Sequence, residues 1–196
     1  MGKRRRQKGP AEGRYDALIE VFRSERPDLD DETYRFVISL MELGRLVETF
    51  FTDLTTARFG LNVGEARLLL ALRRSVPSYS QRPTDLFNAL LITSGAVTKQ
   101  VDRLIAKELC ERRPDPLHAG GSLIHLTEAG FAVADGVLFE LDTNFRPAQV
   151  MKEMPEDARS RGVGFLEHMV RRMEDELRLA RDRGHEAPAP EEGANA

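Results

Sequence analysis

The thirty residues from Leu86 to Asp115 constrain this chain more than any other stretch. They read as two short helices joined by a tight turn, followed by a strand-like run into a glycine-bearing loop. Leu86 and Leu90 give the first helix an apolar edge. Thr93 follows Ile92 at the turn, and its hydroxyl is suited to accept a free N–H of the next helix while Ile92 packs back onto Val97. Val97, Val101 and Leu104 then recur at spacings of four and three, which marks one buried stripe. The opposite face carries Ser94, Gly95, Thr98, Lys99, Asp102, Arg103 and Lys107. Small and hydroxyl residues at a helix N-terminus, followed by spaced cations, suit a helix that enters a major groove. The small side chains permit close approach, and the hydroxyls and cations can bond base edges or phosphates. A charge-rich face of this kind is also what an ordinary solvated helix presents, so context has to decide.

The context is a hairpin. Leu109–Arg113 and the alternating Ser122–Leu126 read as two strands joined by a loop holding Pro114, Pro116, Gly120 and Gly121. A helix-turn-helix beside a hairpin is a winged helix. The expected fold is therefore mainly α, a winged helix-turn-helix with a small β-hairpin wing, flanked by N- and C-terminal dimerisation helices.

The flanks are read from their punctuation. Lys3, Arg4, Arg5, Arg6 and Lys8 form a basic tract with almost nothing apolar, expected to be flexible. A short helix is expected over 14–25, ending before Pro27. Asp30 caps a long helix with the stripe Phe36, Leu40, Leu43, Val47, Phe50 and Leu54, widened by Val37, Gly44 and Phe51 and closed at Gly60. Asn62 and Glu65 form a capping box for a helix carrying Leu68, Leu69 and Leu72, and Pro83 opens the next. Thr127 caps a helix with the stripe Phe131, Ala134, Leu138, Leu141 and Phe145. Pro155 opens a last helix with Gly162, Leu166, Met169, Met173, Leu177 and Ala180, ended by Gly184. The organisation predicted is a basic extension over 1–30 and a dimerisation helix over 31–60. A DNA-binding lobe follows over 61–126, then dimerisation helices over 127–184 and an acidic tail over 185–196. The terminal stripes exceed what one small domain needs, and a homodimer accounts for them.

Composition excludes several classes. Of 196 residues 31% are charged, yet the formal net charge is only −3, so any basic surface must be local. One cysteine, Cys110, allows no internal disulfide. No apolar run reaches membrane-span length and no signal-peptide core is present, so a cytoplasmic protein is expected. His118, His125, His168 and His185 lack metal-ligand spacing, and no phosphate loop, nucleophile elbow or carboxylate pair appears. Neither a cofactor, a metal nor an enzymatic activity is expected.

The run Ser94–Pro116, with its Val101–Leu104 and Glu111–Pro116 segments, followed by Leu126–Gly130, resembles the multiple-antibiotic-resistance-regulator (MarR) family of bacterial transcription factors. The resemblance extends from about Tyr34 to about Arg181. It implies a homodimer, acting by default as a repressor, that binds a pseudopalindromic site on double-stranded DNA. Thr93, Ser94, Gly95, Thr98, Lys99 and Arg103 then lie at the DNA, with Arg82, Thr84, Arg73 and Arg74 as further phosphate contacts and Asp102 holding Arg103 or another cation in position. The family wing usually carries Asp-x-Arg, its arginine reaching the minor groove. Here His118 and Gly120 stand at those places, and the loop 117–122 has no lysine or arginine. His118, Gly120, Gly121 and Ser122 are the wing residues nearest DNA. The resemblance also implies a small effector, often an aromatic anion, for which Met41, Arg45, Glu48 and Phe87 are the candidate lining. Urate-sensing relatives use a set that includes tryptophan, which this chain lacks. Peroxide-responsive relatives carry their cysteine near the first long helix, whereas Cys110 falls where a core residue packs. The competing reading, prompted by the uncharged wing, is a winged-helix dimer that serves as a protein-interaction module.

Overall fold

The computed structural model describes residues 10–185, with side chains described over 16–180. The basic tract Lys3–Lys8 and the acidic tail lie outside the described residues. Two compact units meet between Phe145 and Arg146. The first holds α1 (Pro10–Glu25), α2 (Asp31–Phe59), α3 (Val63–Arg73), β1 (Ser80–Gln81), α4 (Pro83–Leu90), α5 (Ser94–Ala106), β2 (Cys110–Pro114), β3 (Ser122–Leu126) and α6 (Glu128–Thr143). The second holds α7 (Arg146–Lys152) and α8 (Glu156–His185).

The punctuation acts where the sequence places it. Asp30 accepts the Thr33 N–H at 2.8 Å to start α2, and Gly60 ends that helix with φ 63°, a left-handed conformation that glycine adopts without Cβ strain. Asn62 and Glu65 bond each other's backbone N–H at 3.0 and 2.9 Å, the reciprocal box expected for α3. Leu68, Leu69 and Leu72 are fully buried, and with Leu86, Val97, Val101, Leu104, Ile124, Ala134 and Val137 they form one continuous core.

Several features differ from the sequence reading. The first helix starts at Pro10 instead of residue 14. The polar link before Pro83 contains β1, which adds a third strand in the antiparallel order β1-β3-β2. In α6 the buried residues are Gly130, Ala134 and Val137, and Leu141 and Phe145 pack against the core as the stripe requires, but Leu138 is exposed and Val137 takes its inward place. α8 continues through Gly184 to His185. On α2, Phe36, Leu40, Leu43 and Phe50 are exposed, and the helix buries Phe51, one of the residues that widen the stripe, together with Thr55. Leu40, Leu43 and Phe50 thus leave part of the α2 stripe open to solvent.

Candidate nucleic-acid interface

α5 is held at both ends and along one side. Thr93 accepts the Ala96 N–H at 3.2 Å. Val97, Val101 and Leu104 point into the core, which fixes the helix about its axis. Ser94, Gly95, Thr98, Lys99, Asp102 and Arg103 are consequently all exposed, and from Gly95 onward they line one shallow, open surface with Ala106. Thr98 donates its hydroxyl hydrogen to the Ser94 carbonyl at 3.1 Å, so its oxygen is left as an acceptor. Lys99 and Arg103 pair with no carboxylate among the described residues. Asp102 accepts from Arg112 on β2 at 2.9 Å, so the cation it holds is Arg112 and not Arg103.

Two cations of the expected set are used inside the fold. Lys107 bonds Glu65 at 2.8 Å and the Gly60 carbonyl at 2.8 Å, closing the junction where α2 ends, α3 begins and α5 ends. Glu65 is buried. Removing the lysine strands a carboxylate away from water, and the cost is set by that orphaned charge. Lys107→Met is expected to lower unfolding free energy by about 2 kcal/mol in urea titrations. Adding Glu65→Gln should return part of the loss, because the two changes share one interaction. Arg73 donates to Asp135 at 2.6 Å and lies over the Phe131 ring, 4.3 Å from its centroid. It serves as a brace between α3 and α6. Arg74 caps the end of α3 and is exposed.

Arg82 occupies the position before Pro83, and Thr84 is exposed in the first turn of α4. The Arg82 side chain is turned to the wing. Its Nε donates to Asp115 at 2.6 Å and its outer nitrogen to His118 Nδ1 at 2.7 Å. For His118 to accept there, Nδ1 must carry a lone pair, which places the ring proton on Nε2. Asp115 is almost fully buried and also accepts the Leu117 N–H at 2.9 Å. That backbone bond, then Arg82, holds its carboxyl below the usual aspartate range against the opposing effect of burial. A depressed carboxyl stabilises the wing above the ordinary aspartate range and loses that contribution as pH falls through its folded value. Asp115 N–H to Gly121 O at 3.0 Å and Gly121 N–H to His118 O at 2.9 Å close the loop. Gly120 sits at φ 78°, and Ser122 begins β3. The part of Asp115 as the staple of the wing is not legible in the sequence; an aspartate flanked by Pro114 and Pro116 is its only local signal.

The candidate effector residues are less closely gathered. Met41 is exposed on α2, Arg45 pairs with Glu42 at 2.9 Å, Glu48 pairs with Arg67 of α3, and Phe87 packs against the core from α4. Cys110 is buried, and burial pushes its thiol up to about 12. A group held as thiol is a poor nucleophile. Folded protein is therefore expected to leave Cys110 unlabelled by a thiol-reactive dye at pH 8, with full labelling appearing only in denaturant.

Among the described residues no helix is long and apolar enough to cross a membrane, and no three His, Cys, Asp or Glu side chains gather as a metal site would require. A family model described as the MarR family matches residues 59–119, the span from the end of α2 into the wing. The transcriptional regulator PecS of Dickeya dadantii is 30% identical over 129 residues, covering 66% of this chain and 77% of that protein. The fold is similar to that of AbsC, a MarR family regulator from Streptomyces coelicolor, at TM-score 0.64 and 21% identity, covering 76% of this chain and 97% of that one. It is similar also to that of Sco3205 from the same organism, solved in complex with DNA, at TM-score 0.60 and 23% identity, covering 72% of this chain and 87% of that one. A capped helix with an unobstructed outward face, the adjoining wing and the PecS match together make this chain a member of the MarR family of transcriptional regulators.

Proposed function

We propose that the chain acts as a homodimeric repressor that binds a pseudopalindromic operator through α5 in the major groove. The observation that carries this reading is the outward face of α5, where Ser94, Gly95, Thr98, Lys99 and Arg103 are all exposed and the two cations pair with no carboxylate among the described residues. The Sco3205 structure contains DNA, which supports the same use of this fold. Dimerisation is supported by exposed apolar side chains in each unit, Leu40, Leu43 and Phe50 on α2 and Leu166, Met173 and Leu177 on α8. Apolar surface of that extent on a folded chain marks an interface. Two copies of α5 related by a two-fold axis then address half-sites one turn of the duplex apart. Release by a small aromatic anion, with Met41, Arg45, Glu48 and Phe87 as its contacts, belongs to the same proposal and is supported by the exposed positions of Met41 and Arg45 on α2.

The test is a titration of the purified protein against its own upstream intergenic DNA at several salt concentrations, with sedimentation of the free protein. A species of twice the chain mass is expected. Four phosphate-neutralising cations per dimer predict a log–log salt slope of about −4 or steeper. A monomer, or binding indifferent to salt, overturns the reading and leaves the protein-interaction module in its place.

A further inference from the structure

The tip of the wing is apolar. Leu117 is 80% exposed, more than any other large hydrophobic side chain among the described residues. Pro116, Ala119 and Gly120 around it are exposed as well, and the loop carries no lysine or arginine from 117 to 122. Its one ionisable tip residue, His118, has Nδ1 turned back to Arg82.

A single exposed leucine on a surface is commonplace. This one is held out. Its own N–H is bonded to the Asp115 carboxylate, and that carboxylate is bonded to Arg82 at the start of α4. The loop is closed behind it by the backbone bonds between Asp115, His118 and Gly121. A side chain displayed on so constrained a turn loses little freedom when it is buried by a partner.

The partner follows from where the turn sits. Arg112 bonds Asp102 on the outward face of α5, which ties the middle of β2 to the helix proposed for the major groove. From Arg112 to Asp115 the chain is extended and travels about 10 Å. Half the width of a major groove is about 6 Å. With α5 in the groove, that length lets the tip reach past the bordering sugar–phosphate strand to the flanking minor groove. A cation there would favour a narrow, electronegative groove, whereas an apolar wedge favours a step that unstacks and opens.

We propose that Leu117 is the wing's reading residue, an apolar wedge that enters the minor groove beside each half-site and selects a deformable pyrimidine–purine step there. The inference rests on the assignment of α5 as the DNA-recognition helix. It assigns Leu117 a part in operator choice that the expected wing cation does not play in this chain.

The experiment begins with duplexes enriched from a random library by the unaltered protein, with 2-aminopurine placed at the flanking step. Enrichment of TA or CA steps at the flanks is expected, with a rise in 2-aminopurine fluorescence on binding. Leu117→Ala should bind about tenfold more weakly and lose the fluorescence rise, with unchanged thermal melting because the side chain is exposed. Replacing the step by AA should cost the unaltered protein the same tenfold and cost Leu117→Ala almost nothing, so that the two losses are not additive. Leu117→Arg should shift enrichment towards A-tracts. Additive losses, or Leu117→Ala binding within twofold of the unaltered protein, overturn the wedge. If that indifference to Leu117 accompanies binding that still requires Lys99 and Arg103, the wedge alone falls. If no duplex is enriched at all, the DNA reading falls with it.

Discussion

Gly130→Ala is expected to destabilise the first unit by about 3 kcal/mol or more, enough to lower its melting temperature by roughly 10 °C. The reason is the approach of two backbones. A Cβ on Gly130 would sit 2.8 Å from the Leu109 carbonyl carbon and closer still to its oxygen. That same oxygen accepts the Thr127 N–H at 3.2 Å, while the Thr127 hydroxyl donates to the Glu108 carbonyl at 2.8 Å. The start of α6 is therefore pinned to the start of β2, and neither chain can withdraw without breaking the cap of α6 and the sheet register Cys110↔Leu126. Gly95→Ala provides the contrast. Nothing lies within 4 Å of a Cβ there, and the change should raise stability by roughly 0.5 kcal/mol, since alanine loses less backbone entropy in a helix. Thermal and chemical denaturation of the two variants should move in opposite directions. Equal and small effects would show that α6 and β2 stand further apart than these distances require.

The second large effect is on binding with no cost to folding. Lys99→Ala with Arg103→Ala is expected to weaken operator binding by at least about 100-fold, each side chain carrying about 1–3 kcal/mol and acting twice in a dimer. Melting should not change, because neither side chain joins an ion pair among the described residues. The salt slope should fall by about one for each phosphate left without its cation. A pure loss of specificity with an unchanged slope would instead assign both side chains to base edges. Retained affinity would remove α5 from the interface.

Local chemistry makes much of this legible in the sequence. Caps at Asp30, Asn62, Thr93 and Thr127, the glycine at 60 and the stripe Val97–Val101–Leu104 each depend on residues a few positions apart, so spacing alone reveals them. What spacing does not reveal depends on distant partners. Lys107 meets a carboxylate 42 residues away and Arg73 one 62 residues away, and neither pairing leaves a trace in a window of one helix. β1 is two residues long and exists only through Ser80↔His125 and Gln81↔Ile124, too short for any alternation to show. The stripe of α2 is apolar, as its spacing indicates. Periodicity identifies a face that requires covering, but it does not say whether the cover comes from the same unit.

α5 also separates two obligations that many binding elements combine. Its inward residues Val97, Val101 and Leu104 hold the fold, while Ser94, Gly95, Lys99 and Arg103 hold nothing but their own turn. Asp102 and Lys107, on the same outward side, are committed to Arg112 and Glu65 and are not available for change. Gly95 also carries the gain expected of alanine in a helix. On the proposed assignment of α5, a lineage carrying this chain can readdress it to a new operator by substitution at Ser94, Lys99 and Arg103, where selection on stability has little to act on. Divergence between descendants should accumulate there first, leaving the committed pair untouched.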